Sequence, residues 1–270
     1  MEITERTRNG VTFFSSDGMD AAGGVVHGFS TRLGGVSQGM WASLNLGPSR
    51  GDDPDHVREN YRRFFAAIGA SGDRIVMTNQ VHGGVVRCVT TADVKADPYD
   101  KVSYEADGLM TDLPGTALVV FSADCIPVLF YDPVRRVIAA VHAGWRGTAA
   151  GIATAAVQRM EAVYGCGRGD ILAAIGPGIG PDCFETHEDV PNAMTAALST
   201  CVLQHIAIKE NGKFAVDLKT INAMRLEQAG LDPDHIATSR LCTACDPDRF
   251  WSHRKLGTNR GSMAAAIQLA

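Results

Sequence analysis

Three short polar clusters hold the residue types in this chain that can do chemistry. Within residues 117–147, ALVVFSADCIPVLFYDPVRRVIAAVHAGWRG, one apolar run ends in Asp124-Cys125 and a second in His142-Ala143-Gly144-Trp145-Arg146-Gly147. A hairpin turning at Asp132-Pro133 would set Cys125 and His142 side by side at the end remote from the turn. The third cluster, Asn79-Gln80-Val81-His82-Gly83-Gly84, follows the strand-like run IVMT. One thiolate and two imidazoles supply three ligands and leave a fourth position open, the pattern of a catalytic rather than a structural zinc. Other readings of the same residues stay open. Two histidines and a cysteine are also the ligand set of blue-copper sites. A multicopper oxidase, however, needs a further cluster held by His-x-His pairs, and the eight histidines contain none. Alternatively, Cys125 is a thiol nucleophile with His142 as base and Asp124 or His82 as orienter. In the plainest reading, Cys125 is a small buried residue and the histidines are hydrogen-bonded parts of the core.

The remaining signals are weaker. Cys242-Thr243-Ala244-Cys245 is a single CxxC with no second pair to complete a structural zinc site, so it reads as packing. Cys88, Cys166, Cys183 and Cys201 read the same way. Gly176-Pro177-Gly178-Ile179-Gly180-Pro181 lacks the Lys-Ser/Thr ending of a phosphate loop and is either a tight turn or a backbone cradle for an anion. Arg146 is the best single cation for an anionic group near the ligands, with Arg254 next, and each could equally serve as a structural ion-pair partner. Asp124 is the nearest carboxylate to act as a proton shuttle.

Short β-rich runs must position these clusters: 25–29, 75–78, 85–89, 117–121, 128–131, 137–141, 171–175 and 214–216. Helices are expected over 54–68, 147–164 and 217–229, the last capped by Asp217, and THEDV (186–190) reads as the solvated start of another. Strands outnumber helices without strict alternation, which predicts an α+β fold on a large mixed sheet or sandwich. No linker divides the chain, so one domain over 1–270 is expected. The 270 residues are 45 % apolar and 20 % charged, enough for a sizeable core, and no run approaches the length of a membrane span. A net charge of −5 argues against nucleic-acid binding by bulk electrostatics. The opening MEITERTRNG mixes charge signs and leads into no apolar core. With seven cysteines read as reduced thiols, a cytoplasmic protein is expected.

HGFSTRLGGVSQGMWASLNLG (27–47), NQVHG (79–83), ADGLMTD (106–112), SADCIPVLFYDP (122–133), AAVHAGWRGTAAGI (139–152), IGPGIGPDCFE (175–185), LCT (241–243) and FWSHR (250–254) occur here in order. Together they resemble the laccase-domain family, also called multicopper polyphenol oxidase-like, YfiH-like or peptidoglycan editing factor proteins, over nearly the whole chain. The resemblance implies a YfiH-like sandwich of mixed β-sheets flanked by helices. It also implies a metal held by His82, Cys125 and His142, zinc in the first instance and copper as the alternative. The activity it implies is purine nucleoside phosphorylase, with adenosine deamination and methylthioadenosine phosphorolysis besides, in a monomer or small homo-oligomer acting on nucleoside and phosphate. Copper-dependent polyphenol oxidation, or Cys/zinc hydrolysis editing peptidoglycan precursors, is the alternative. Asn45 and Gln80, amides within family motifs, are expected to read the purine or ribose edge. The chain departs from the family pattern where Asn60 is followed by Tyr61 rather than Arg, at Ser252-His253-Arg254, and at Thr258-Asn259-Arg260-Gly261-Ser262-Met263.

Overall fold

The computed structural model describes residues 1–270 except the side chain of Ser199. Two six-stranded mixed sheets lie face to face. The first runs, in spatial order, Ile3–Arg8, Val11–Ser16, Val25–Ser30, Met263–Leu269, Ala117–Ser122 and Ile75–Met77. The second runs Ile236–Thr238, Leu172–Ile175, Ile126–Asp132, Val137–Ala143, Gly108–Thr111 and Val86–Cys88. A three-stranded sheet, Glu185–Thr186, Phe214–Val216 and Ile206–Ile208, stands apart from both.

Side-chain alternation accounts for the layering. Leu118, Val120, Ala265 and Ile267 of the first sheet meet Leu129, Tyr131, Ile138 and Ala140 of the second in one core between the sheets. The intervening residues point the other way and are buried as well. Ala117, Val119, Ala264 and Ala266 pack beneath the helix Pro54–Ile68 through Val57, Tyr61, Phe64 and Phe65. Val128, Phe130, Ala139 and Val141 pack beneath the helices Ile152–Tyr164 and Leu218–Gln228. Strands covered on both faces read as unbroken apolar runs, which is how ALVVF, IPVLFY and VIAAV read. The α+β sandwich flanked by helices therefore matches the expected fold class. Among the described residues, no helix is long and apolar enough to cross a membrane.

Two element expectations need correction. The helix expected over 147–164 is two helices, Trp145–Ala150 and Ile152–Tyr164. Gly151 between them sits at φ +78°, a left-handed conformation that ends one helix and re-aims the chain into the next. The strands Ile3–Arg8, Val11–Ser16 and Met263–Leu269 were not among those expected. The last, MAAAIQL, is buried at all seven positions, and its small alanines let the sheet pack tightly on both sides.

His27, in the strand Val25–Ser30, makes stability depend on pH. Its Nε2 accepts the Ser16 amide N–H at 2.8 Å, so the imidazole is neutral with its proton on Nδ1, 3.8 Å from Asp20. Burial lowers its pKa to about 4 against the opposing pull of Asp20. The unfolded chain therefore binds the extra proton first, and the stabilisation present above pH 6.5 is lost as the pH falls toward 4. Denaturant melts at pH 7 and pH 5 should differ by about 2 kcal/mol more in the native protein than in His27→Gln.

Candidate metal centre

The hairpin Ile126–Asp132/Val137–Ala143 pairs Ile126 with Ala143 and Pro127 with His142. Cys125 therefore enters one strand beside the end of the other, where His142 is the penultimate residue and Gly144 follows, the adjacency expected from the sequence. Asp132 Oδ1 closes the far turn by accepting the amides of Val134 and Arg135. His82 arrives on the loop after Ile75–Met77 with φ +59°, and Asp124 beside Cys125 has φ +97°. Among non-glycine residues such conformations are costly and persist only where surrounding contacts hold them.

The ligand atoms of His82, Cys125 and His142 all lie within 4.8 Å of one another. The two imidazoles meet edge to face, with centroids 4.9 Å apart. Behind them Asp107, fully buried, organises the group. Its Oδ1 accepts His142 Nδ1–H at 2.9 Å and the His82 amide at 3.0 Å, while Oδ2 accepts the amides of Val81 at 3.1 Å and Gly83 at 2.7 Å. One carboxylate thus holds the His142 ring through Nδ1, so that the ring's other nitrogen faces Cys125, and shapes the loop that carries His82. A carboxylate behind a histidine is the usual support of a metal ligand.

Electrostatics agree with the geometry. Burial alone would raise the Cys125 thiol, but the neighbouring His142 and His82 outweigh it and hold the thiol well below its ordinary value. Burial likewise disfavours charge on His142, yet Cys125 and Asp107 together push its pKa up. A thiolate is already the favoured form of Cys125, and a thiolate is what a metal takes. The donor set, one soft sulfur and two imidazoles, fits zinc or copper.

Gly144 completes the cradle. A Cβ there would come 3.1 Å from Cys125 Sγ, 3.1 Å from His82 Cδ2 and 3.7 Å from His142 Cε1. Its backbone, at φ −65° and ψ 172°, accepts any residue, so the constraint is steric and confined to the ligands. Gly144→Ala is expected to weaken zinc binding by roughly 10–100-fold, the range seen when ligand support is lost. Calorimetric titration measures that loss, and the melting temperature of the metal-free variant should barely change.

The ligands floor a cavity of about 430 Å³. Phe121, Trp145, Ile179 and Phe184 supply apolar, largely aromatic lining and Arg50, Arg254 and Arg260 supply cationic groups, with Arg254 lying 5.8 Å over the Phe184 ring. Arg260 is only 7 % exposed, and its guanidinium reaches only the Gly261 carbonyl at 2.8 Å and the Ser262 hydroxyl at 3.4 Å. Its Nε has no partner. Burial, followed by repulsion from Arg50, lowers its pKa to about 10. Arg50 donates to the same Ser262 hydroxyl at 3.1 Å. No carboxylate forms an ion pair with either guanidinium among the described residues.

The other expected site residues divide. Asp124 lines the cavity, but its oxygens accept the Thr243 hydroxyl at 2.7 Å and the Arg254 amide at 2.6 Å, tying the LCT and FWSHR segments to the ligand hairpin. Arg254 also lines the cavity, with Nη1 donating to the carbonyls of Cys183 and Glu185. Gln80 is on the wall, yet both its amide atoms pin the backbone of Phe121, at 2.7 and 2.9 Å, so it holds a strand rather than reading a ligand. Asn45 must be corrected. Fully buried and absent from the wall, it spends its amide on Asp52, Gly47 and Ser262. Arg146 also needs correction, since it is exposed, lies over the Trp145 ring at 4.1 Å and is not on the wall. The 176–181 loop is a turn, its amides at Gly176, Ile179 and Gly180 already bonded to Pro127, Asp124 and Cys242.

Tyr61 packs under the first sheet with its hydroxyl toward Met77 Sδ, so the departure there removes no cation from the cavity. Asp107, Arg50 and Arg260 were missed. Asp107 stands inside the quoted ADGLMTD motif, and Arg260 inside a stretch noticed only as a departure.

Known proteins bear on the same features. The sequence pattern of the family described as "Multi-copper polyphenol oxidoreductase laccase" matches residues 26–270. The purine nucleoside phosphorylase YfiH of Escherichia coli K12 is 38 % identical over 249 residues, which make up 91 % of this chain and 94 % of that protein. The purine nucleoside phosphorylase YlmD of Geobacillus stearothermophilus is 37 % identical over 246 residues, 90 % of each chain. The crystal structure of the hypothetical protein YfiH of Bacillus licheniformis superposes with a TM-score of 0.92 at 32 % identity, covering 98 % of this chain and 99 % of that one. In sequence and in fold alike, the chain belongs to the YfiH/YlmD group of the multi-copper polyphenol oxidoreductase laccase family.

Proposed function

We propose that this chain is a metal-dependent purine nucleoside phosphorylase, with zinc at His82, Cys125 and His142. The observation that carries the reading is Arg260, a buried guanidinium without an ion-paired carboxylate, sharing the Ser262 hydroxyl with Arg50 in the wall of the ligand cavity. A buried cation left this way is destabilising until an anion arrives, and guanidinium forks suit phosphate oxygens. Relatives named purine nucleoside phosphorylase support the same substrates, nucleoside and phosphate.

The division of labour follows from the walls. Phe121, Trp145 and Phe184 offer flat apolar faces to a purine. Arg50, Arg254 and Arg260 hold phosphate so that an oxygen meets the ribose C1′, where positive charge develops as the bond to the base breaks. Bound by the three ligands, zinc would supply Lewis-acid polarisation and a water of lowered pKa. Asp107 keeps the ligand imidazole oriented, and Asp124 holds the Arg254 segment against the cavity. Methylthioadenosine phosphorolysis belongs to the same proposal because it would use the same base and anion sites, whereas adenosine deamination would use the base site and a water that adds at C6 as ammonia leaves.

The Asp107–His142–Cys125 line also favours a second reading, a thiol hydrolase in which Asp107 orients the base. Alkylation of Cys125 that zinc blocks favours the metal, whereas rapid alkylation indifferent to zinc favours the nucleophile. Elemental analysis of the purified protein decides between zinc and copper.

The function is tested by incubating metal-quantified protein with adenosine, with and without phosphate. Phosphate-dependent adenine and ribose 1-phosphate are expected, and inosine with ammonia marks the deaminase activity. Formation of none of these products would overturn the proposal.

A further inference from the structure

A second group of ligand-type atoms lies outside the site described above. Cys183, in the loop before Glu185–Thr186, meets Cys242 and Cys245, in the loop after Ile236–Thr238, with all three sulfurs within 4.8 Å of one another. Cys183 Sγ and Cys245 Sγ are 3.4 Å apart. We propose that Cys183, Cys242 and Cys245 form a second metal site that takes a thiophilic d10 cation, Zn²⁺ or Cu⁺. The motif that reads as packing in the sequence is thus completed by a cysteine about sixty positions earlier, not by a second CxxC.

Several features build the site. The Cys245 amide donates to the Cys242 carbonyl at 3.2 Å, so the CxxC turns back on itself and presents both sulfurs to one side. The turn is anchored where the Thr243 amide donates to the Gly178 carbonyl and the Gly180 amide to Cys242 Sγ at 3.1 Å. An amide N–H aimed at sulfur is the usual support of a metal thiolate. Gly180 leaves the room this needs, since a Cβ there would come 3.2 Å from Cys242 Cβ and 3.4 Å from its Sγ. Lys219, 5 % exposed, donates to the Leu241 carbonyl at 2.6 Å and has Cys242 and Cys245 among its electrostatic neighbours.

The spacing suits an ion. Thiolates about 2.3 Å from a tetrahedral zinc stand roughly 3.8 Å apart, so only small side-chain movements are needed. Cys245 is exposed, and on its side water can take a fourth position on Zn²⁺ while Cu⁺ stays three-coordinate. Binding releases the thiol protons to solvent and changes no oxidation state. The Cys183 carbonyl accepts from Arg254 Nη1 at 2.9 Å, so an ion here would brace the loop behind one of the cavity's cations.

The full-length protein, reduced and stripped of metal, is titrated under anaerobic conditions with Zn²⁺ and, separately, with Cu⁺, then desalted and analysed for metal. Two equivalents of at least one ion are expected in the native chain and one in Cys183→Ser/Cys242→Ser/Cys245→Ser. With Co²⁺, the sulfur-to-metal charge-transfer band should fall in that variant to the level of the single remaining thiolate ligand. Should the triple variant fold poorly, Cys245→Ser alone and zinc protection of the native thiols from iodoacetamide, mapped by peptide mass, give the same reading. Uptake of one equivalent by the native chain, or absence of protection at Cys183, Cys242 and Cys245, would overturn the site. So would metal-resistant loss of two hydrogens there, restored by dithiothreitol, because it marks a disulfide instead.

Discussion

His142→Ala and Cys125→Ala proteins are expected to retain no stoichiometric metal at the hairpin site and no measurable phosphate-dependent cleavage of adenosine. Each substitution deletes a donor atom, so the loss should exceed the roughly 10–100-fold typical when only a ligand's supporting partner is changed. Asp107→Asn provides that milder comparison. The two carboxylate oxygens of Asp107 each accept two N–H groups. An amide offers one oxygen, so its NH2 end must face two donors whichever way it turns. Metal affinity should fall by roughly 10–100-fold in Asp107→Asn, with activity recovering at high zinc. Elemental analysis, circular dichroism and product assays on the three variants separate a lost ligand from a lost fold. A well-folded His142→Ala protein with native turnover would defeat the metal assignment.

Arg260→Gln should raise KM for phosphate by about 10–100-fold, the scale of a hydrogen bond to a charged partner, and leave KM for the nucleoside nearly unchanged. The same variant should be no less stable than the native protein. Arg260 loses hydration on burial and forms no ion pair in return, and the attraction of Asp124 and Cys125 does not outweigh burial and the repulsion of Arg50, so its removal takes away a cost. Arg260→Lys keeps the charge without the planar fork and should fall between the two. Phosphate saturation curves and denaturant melts measure both effects. Unchanged phosphate saturation in Arg260→Gln would place the anion elsewhere.

How much of this was legible in the sequence depended on the range of the signal. The ligand hairpin was readable because its two apolar strands, its Asp132-Pro133 turn and its reactive residues are contiguous. The helix Pro54–Ile68 was readable because its proline start, apolar spacing and terminal glycine are all local. The strand Met263–Leu269 was not, since three successive alanines carry little β-preference and only packing against both sheet neighbours makes them a strand. Asp107 looked like one acidic residue among thirty aspartates and glutamates, and its role arises from amides and an imidazole that the fold brings to it. The three-sulfur group was hidden for a related reason, that no spacing rule joins Cys183 to a CxxC in a distant loop. Asn45 and Gln80 show the opposite error, for polar amides in family motifs proved to be satisfied within the fold, Gln80 by the Phe121 backbone and Asn45 by two backbone amides and the Asp52 carboxylate.

The strand 263–269 lies between Val25–Ser30 and Ala117–Ser122, and the cavity residues Arg260 and Ser262 lie just before it. During synthesis, both neighbours leave the ribosome long before the strand that must join them. Until it emerges, Val25–Ser30 and Ala117–Ser122 each keep an unpaired edge that Met263–Leu269 closes in the finished sheet, and open apolar edges are the conditions that recruit chaperones and promote misassociation. Arg260 arrives with the same segment, so the wall of the cavity is finished only when the sheet closes. A ribosome-stalled chain ending near residue 255 should therefore be protease-sensitive throughout the first sheet, while the hairpin of the second sheet is already protected.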